Sequence, residues 1–420
     1  LLIIGRLKYR PSLDMFMITN DKLIEVIRSQ KESFAKLEEG VLREKQGEIK
    51  IEDSFALIIT GVRRCGKSTF LNQILRKQKK GYYLNLEDPR LEGFDLSDFN
   101  KVESIMKELY GDKGVFFFDE IQNIDKWEKF IRYLIDKKER ILITGSNASL
   151  LSRELGTKLT GRHIQLEMFP FSYKEFLDLK NHKPSISSFE EYLFKGGFPE
   201  YLKKENPEIL HELLSDIVMK DIAIRFGIKN TSMLNKIAIY LVSNAGKEFS
   251  HNSIKNMFDI KSVQSVIDYV SYFEDAYLVF TIPIFSYSYK KQQVNPKKAY
   301  SIDNGFSSNN SSSFSKDKGK MLENAVFLAL RRKHKEIFYF QEKNECDFLI
   351  KEREKITQTF QVCYELNEDN KEREIKGLVA ALKEFKLKEG TILTFNQTDK
   401  LVFEDKKITV IPVWNWMMGE

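Results

Sequence analysis

Three cysteines in 420 residues, Cys65, Cys346 and Cys363, are too few and too scattered for a disulfide scaffold, and the absence of any C-x-x-C pair argues against a zinc site. This usage fits a reducing compartment and sets the expectation of a cytoplasmic protein. No apolar run approaches the roughly 18 residues that a membrane span needs, so no membrane partner is expected. The opening Leu1–Ile4 is too short for a secretory core and is followed at once by charge. The first residue is not Met, and Met15 and Met17 are the candidates for a natural start. Neither sign of charge dominates: 67 Lys and Arg against 61 Asp and Glu leave +6, which a mixed, solvated surface explains as well as an anionic partner does. Internal repeats are also lacking. A hydrophobic share of 42% with abundant Phe and Tyr excludes a disordered chain.

The length corresponds to two to four domains at roughly 100–200 residues each. Residues 1–50 read as an N-terminal helical segment, with an amphipathic helix over Asp21–Leu42 whose Leu23, Ile24, Ile27, Phe34 and Leu37 share a face. Residues 51–169 alternate apolar strands with helices. The strands are Ala56–Thr60, Tyr82–Leu86, Val115–Asp119, Ile141–Thr144 and His163–Leu166, and the helices include Ser68–Gln78, Lys101–Leu109 and Lys126–Asp136. Such alternation predicts an α/β fold with a parallel sheet and crossover helices. After Pro170 the chain turns helical. Residues 170–205 and 206–306 form two further units, and the second contains helices Ser250–Phe258 and Ser262–Phe273, then strands Tyr277–Ile282 and Ala299–Ile302 around a Lys-bearing loop. Two helices followed by a hairpin is the order of a winged helix-turn-helix. A Ser/Asn-rich linker, 307–318, precedes a last α/β domain at 319–420.

The chemistry is concentrated in Gly61-Val62-Arg63-Arg64-Cys65-Gly66-Lys67-Ser68-Thr69, which matches G-x-x-x-x-G-K-[ST]. A buried strand enters it and a helix leaves it, the context a phosphate-binding loop requires. Glycines let backbone N–H groups close round phosphates, and the helix start adds its positive dipole end. Lys67 is expected to neutralise the β- and γ-phosphates of ATP, or the β-phosphate of ADP, Ser68 to ligate Mg²⁺, and Thr69 to cap the helix. Arg63 and Arg64 either contact phosphate, brace Glu120 or face solvent. Phe116-Phe117-Phe118-Asp119-Glu120 supplies the second half of the site. Asp119, at the carboxyl edge of the sheet, would hold the metal through water, and Glu120 would polarise the attacking water unless it only caps the next helix. Asn147 is the first choice for a γ-phosphate sensor and Ser146 the second, with helix capping the alternative. Arg162 would meet transition-state charge in cis or from a neighbouring subunit, or form a plain surface ion pair.

Together these stretches resemble the archaeal and bacterial single-chain AAA-type ATPases, in which a P-loop domain precedes a winged helix and a restriction-endonuclease-like tail. The resemblance rests on Leu57–Thr69, Phe118-Asp-Glu-Ile-Gln, Ile143-Thr-Gly-Ser-Asn, Leu159-Thr-Gly-Arg, Pro170-Phe-Ser-Tyr-Lys-Glu-Phe, Gly196-Gly-Phe-Pro-Glu-Tyr, Lys220-Asp-Ile and Leu322-Glu-Asn-Ala-Val-Phe. It implies an AAA/ASCE-type sheet of order 5-1-4-3-2 and makes Pro170–Tyr201 a lid beyond the nucleotide.

For the winged helix, Lys261, Gln264 and Ser265 begin the recognition helix, and Lys290, Lys291, Lys297 and Lys298 are wing lysines placed to touch phosphates of double-stranded DNA or another nucleic acid. Protein contact is the alternative role for this unit. In the tail, Glu323, Asp347 and Gln361 occupy the positions of a metal-dependent nuclease, but Cys363 stands where such enzymes carry Lys, so an inactive domain is expected. The leading function is an ATP-binding and ATP-hydrolysing switch that works with nucleic acid. A nucleotide-gated scaffold for protein partners and an ATP-driven nuclease are the competing readings. The sequence leaves the oligomeric state open.

Overall fold

A computed structural model describes residues 18–146, 161–311 and 317–419. Helix α1 (Asn20–Ala35) starts on a Thr19 cap and lies against the second strand through Leu23, Val26, Ile27 and Phe34. It ends seven residues before the predicted Leu42, and Leu37 is exposed beyond it.

The P-loop core follows as β1 (Ala56–Gly61), α2 (Lys67–Arg76), β2 (Gly81–Asn85), α3 (Asp98–Tyr110), β3 (Val115–Asp119), α4 (Trp127–Asp136), β4 (Arg140–Gly145) and β5 (His163–Met168). All five strands are parallel and stand in the order β2-β3-β4-β1-β5, as the resemblance implied. The period-2 alternation of side chains explains how an apolar strand serves two faces. Leu57 and Ile59 of β1, with Phe117 of β3, pack among Phe70, Leu71 and Ile74 of α2. Ala56, Ile58, Phe116 and Phe118 pack on the opposite face among Phe99 and Val102 of α3 and Phe130 and Ile131 of α4. Each buried Phe stabilises this sandwich by roughly 1.5–3 kcal/mol. The loops at the carboxyl ends of β1 and β3 are therefore held by a rigid sheet.

The next helices are α5 (Tyr173–Lys180), α6 (Ile186–Lys195), α7 (Pro199–Lys204) and α8 (Glu208–Asp216). Ser172 with Glu175, and Ser185 with Ser188, close reciprocal caps that begin α5 and α6. Helix α8 runs on without a break into a π-helical stretch, Ile217–Ile224. The turn between α6 and α7 needs glycine: a Cβ on Gly196 would lie 2.1 Å from Asp303 Oδ1, and Gly197 donates its N–H to Asp303 at 2.6 Å.

Helix α9 (Thr231–Ser243), β6 (Glu248–Phe249), α10 (His251–Met257), α11 (Val263–Asp275), β7 (Val279–Pro283), α12 (Tyr289–Val294) and β8 (Lys297–Ser301) form a unit whose small sheet has the order β6-β8-β7. The loop expected between the two long strands thus holds a short helix. Another helix, α13 (Asn304–Asn310), capped by Asp303, takes up the start of the stretch read as linker.

The last domain comprises α14 (Lys318–Arg331), β9 (Ile337–Gln341), β10 (Glu345–Glu352), β11 (Lys355–Val362), α15 (Lys371–Glu384), β12 (Glu389–Thr394), β13 (Asp399–Phe403), β14 (Lys406–Pro412) and α16 (Val413–Met418). Its sheet has the order β13-β14-β12-β11-β10-β9. Three strands follow α15, and Asp399–Phe403 pairs as an antiparallel edge on β14. Among the described residues, no helix is long and apolar enough to cross a membrane.

Candidate nucleotide site

The loop from Gly61 to Gly66 links the end of β1 to the start of α2. Gly61 is required by crowding: a Cβ there would sit 2.1 Å from the Met168 carbonyl oxygen of β5. Gly66 takes a left-handed φ of 99° and stands at the N-cap of α2 without a side-chain cap bond. Thr69 therefore does not cap this helix, contrary to expectation, and its methyl group instead lies beside Gly40. A helix start with no side-chain cap leaves its first N–H groups to meet an anion.

Lys67 is buried, and its ammonium donates to the carbonyl oxygens of Gly61 at 3.1 Å and Val62 at 3.2 Å. Its Nζ stands 3.6 Å from Glu120 Oε1. Burial works against the charge of Lys67, yet Glu120 and neighbouring groups raise its pKa above the ordinary value. Burial would push the Glu120 carboxyl up, but Lys67, Gln122 and Arg63 hold it below the usual range. Glu120 itself sits at φ 52°, a left-handed conformation rare for a side chain of this size, which the end of β3 imposes.

Asp119 is fully enclosed. Burial, with Glu120 adding to it, raises its pKa. Thr144 donates its hydroxyl to Asp119 Oδ1, Tyr83 donates to Oδ2 at 3.2 Å, and Ser68 is also hydrogen-bonded to this carboxylate. The Thr144 hydroxyl also accepts the Glu120 N–H at 3.0 Å. Ser68 and Asp119 thus bring two hard oxygen donors together at the loop, a set that suits Mg²⁺. Ser146, the second choice for a sensor, is buried and accepts from Gln122 Nε2 at 3.2 Å, and Gln122 in turn bonds Glu120. Asn147, the first choice, lies outside the described residues, as do Met15 and Met17.

The two loop arginines face carboxylates of the helical segment. Arg63 reaches Asp221 through Nε at 3.1 Å and Nη2 at 3.0 Å, and Glu87 through Nη1 at 3.1 Å. Arg64, at φ 60°, pairs with Asp216 at 3.2 Å and with Glu200 at 3.6 Å. Neither arginine bonds Glu120 directly. Cys65 is buried behind the loop.

Arg162 is not at this site. It precedes β5, level with the first residue of β1, and donates to Asp136 at 2.6 Å on the exposed edge. The length of β1, about 20 Å at ~3.3 Å per residue, separates it from the loop, which removes the in-cis reading.

Sequence reasoning also missed Arg43. Its Nη1 bonds the Cys65 carbonyl at 3.1 Å, its Nη2 bonds the Phe169 carbonyl at 2.6 Å, and its Nε pairs with Glu175 at 3.0 Å. It ties the segment before β1 to the loop and to the start of the helical region. Thr144 was findable, as a hydroxyl at the carboxyl end of an apolar strand beside Asp119. Arg43 carried no local signal, and Asp221 was marked only as part of the Lys220-Asp-Ile stretch, with no role attached.

A second cluster lies in the tail. Glu323 of α14 and Asp347 of β10 come together as expected, but the ammonium between them belongs to Lys298 of β8. Its Nζ is 3.3 Å from Glu323 and 3.2 Å from Asp347, and it also contacts Glu345. Tyr300 donates to Glu323 at 2.7 Å. Lys298 is therefore not a wing lysine: strand alternation turns Lys298 and Tyr300 to the same inward face. Cys363 is buried, and Gln361 donates to Glu374 at 2.6 Å. Among the described residues, no group of three or more His, Cys, Asp or Glu side chains is arranged to hold a metal ion.

These features meet the comparisons with known proteins. A family model described as an AAA domain matches residues 53–177, and a domain of unknown function matches residues 186–316. The protein named Uncharacterized protein MJ1544 of Methanocaldococcus jannaschii is 40% identical over 88% of this chain and 90% of its own length. A Haemophilus influenzae protein, also named as uncharacterized, is 30% identical over 77% of this chain and 86% of its own. The structure of AMPPCP-bound DnaA from Aquifex aeolicus covers 60% of this chain and 88% of its own at 16% identity, with a TM-score of 0.27, a likeness that carries no argument about function. The chain belongs to the family of AAA-type P-loop ATPases that includes these two relatives.

Proposed function

We propose that this chain is a magnesium-dependent ATP-hydrolysing switch. The observation that carries this reading is the convergence of Lys67, Glu120 and the Ser68–Asp119 pair at the capless start of α2. The loop amides and Lys67 bind the phosphate chain. Glu120, kept ionised by the adjacent ammonium, accepts a proton from the attacking water. Gln122 holds the Glu120 carboxylate in place and links it to Ser146. Magnesium, when bound, would supply charge neutralisation at the phosphates, with Ser68 and Asp119 as its holders. Asn147 or Ser146 would sense the γ-phosphate. The base would enter the cavity of about 300 Å³ lined by Arg43, Phe70, Phe169 and Tyr173, next to the loop. ATP turnover by the purified chain, compared with Glu120→Gln, tests the reading. Turnover in the variant equal to that of the parent contradicts it.

An association with nucleic acid is favoured by the segment between β7 and β8. There Tyr287 and Tyr289 are 80% and 74% exposed beside exposed Lys290 and Lys291. Flat rings next to ammonium groups suit bases stacked along a phosphate backbone. The order helix, strand, helix, helix, strand, strand, with the short helix α12 inserted between the last two strands, follows that of a winged helix. ATP turnover stimulated by DNA or RNA, with binding that weakens steeply with salt, supports this role; turnover indifferent to both favours a protein-contact scaffold. In the tail, Lys298 occupies the position between the carboxylates, and a binding role is the better fit than cleavage.

A further inference from the structure

Arg63 lies inside the phosphate loop, yet its guanidinium is aimed by a residue 158 positions later in the chain. Asp221 grips Arg63 side-on through two bonds and is itself buried. Three of the five guanidinium N–H groups are engaged by Asp221 and Glu87, a fork geometry that fixes the plane of the group. Arg63 belongs to the same loop as Lys67, whose Nζ stands 3.6 Å from Glu120 Oε1, so the gripped guanidinium is part of the site where Glu120 would act.

The geometry of the helix explains how one element reaches both loop arginines. Asp216 meets Arg64 and Asp221 meets Arg63. In an α-helix, residues five apart diverge by about 140°, at 3.6 residues per turn. Between these two aspartates the helix is π-helical, Ile217–Ile224, and its i→i+5 bonding brings residues five apart back towards one face. An α-helical stretch would turn the two carboxylates to well-separated faces. A π-helical stretch is sparsely populated and so needs a reason, and the paired arginines supply one.

We propose that Asp221 is a positioning residue for the ATP reaction: it aims the Arg63 guanidinium at the terminal phosphate, and the π-helical stretch exists to place it there. This inference rests on the ATPase reading. Asp221 has no contact with substrate in this scheme and acts only through Arg63. Because the terminal phosphate is the group Arg63 would meet, ADP should be indifferent to Asp221, whereas ATP turnover should depend on it.

The test uses the full chain with ATP and ADP. Turnover by the unaltered chain checks the ATPase reading on its own. Asp221→Asn, nearly isosteric, is expected to lower kcat about 10-fold or more while ADP affinity stays within about 2-fold. Arg63→Gln should reproduce that loss, and the double variant should be no slower than Arg63→Gln alone, because removing the aim of an absent group changes nothing. Arg63→Lys, which keeps the charge but loses the fork, should also turn over slowly; it covers the case in which Asp221→Asn fails to fold. Unchanged kcat in Asp221→Asn, additive losses in the double variant, or equal weakening of ADP and ATP would overturn the proposal, the last by showing a merely structural pair.

Discussion

Two lysines in this molecule do similar electrostatic work by opposite routes. Lys67 is enclosed by carbonyls of its own loop and faces Glu120 from the end of β3, two strands away in the sheet. Lys298 is enclosed by Glu323, Glu345 and Asp347, which belong to a different sheet and helix. The first cluster opens onto a loop whose uncapped helix start still seeks an anion. The second already has its counter-ion, with one ammonium set among three carboxylates. The difference separates a site built to exchange a ligand from one that is closed on itself and joins two units of the fold.

The comparison breaks most severely if the two lysines prove interchangeable in their consequences. The largest expected effect is at Glu120: Glu120→Gln should still bind ATP but turn over roughly 10²-fold more slowly or worse, measured as phosphate release. The fold should persist, because the Gln keeps the shape of the side chain and Lys67 retains its bonds to the Gly61 and Val62 carbonyls. By contrast, Lys298→Met should leave ATP affinity intact and lower stability by about 3 kcal/mol in urea unfolding, since the buried Asp347 and the half-buried Glu323 lose the ammonium they share. Adding Glu345→Gln should recover part of that loss.

A smaller effect concerns pH. Burial pushes the Asp303 carboxyl up to about 7, although the N–H groups of Gly197 and Gly305 oppose the shift. A carboxyl whose folded pKa exceeds its unfolded value binds its proton more tightly in the folded state. Its stabilising contribution is complete below the ordinary value of 3.8 and is lost as pH rises through about 7. The melting temperature of Asp303→Asn should therefore decline less than that of the parent across this interval. The smallest effect is expected at Lys290→Ala with Lys291→Ala, which should weaken binding to single-stranded DNA a few-fold at low salt and leave unstimulated ATP turnover unchanged.

The two clusters also differ in how much the sequence disclosed. The loop, its strand and Asp119-Glu120 were legible because each is contiguous, and because parallel strands bring their carboxyl ends to one edge by rule. The strand order followed from the same motifs. Lys298 was misread as a wing lysine because its partners lie 25 and 49 residues away, beyond any local pattern. On the small sheet, one residue of alternation decides whether a lysine faces solvent or carboxylates. The helix end at Ala35 and the helices over Tyr289–Val294 and Asn304–Asn310 were missed for a related reason: short polar segments carry no apolar period, and tertiary contacts decide them. Arg162 shows a different limit: beside a motif, its sequence left a catalytic role and a plain surface ion pair open, and within the chain its place before β5 and its bond to Asp136 favour the pair.

The central claim is that main-chain amides and the Lys67 ammonium hold the phosphates of ATP while oxygen donors opposite hold magnesium. Isothermal titration of the full chain with ATP and with ADP, in the presence of magnesium, tests it most directly. The account predicts saturable binding of one nucleotide per chain, abolished by Lys67→Ala in a variant that melts normally. Absence of binding by the folded parent, or undiminished binding by Lys67→Ala, would contradict it.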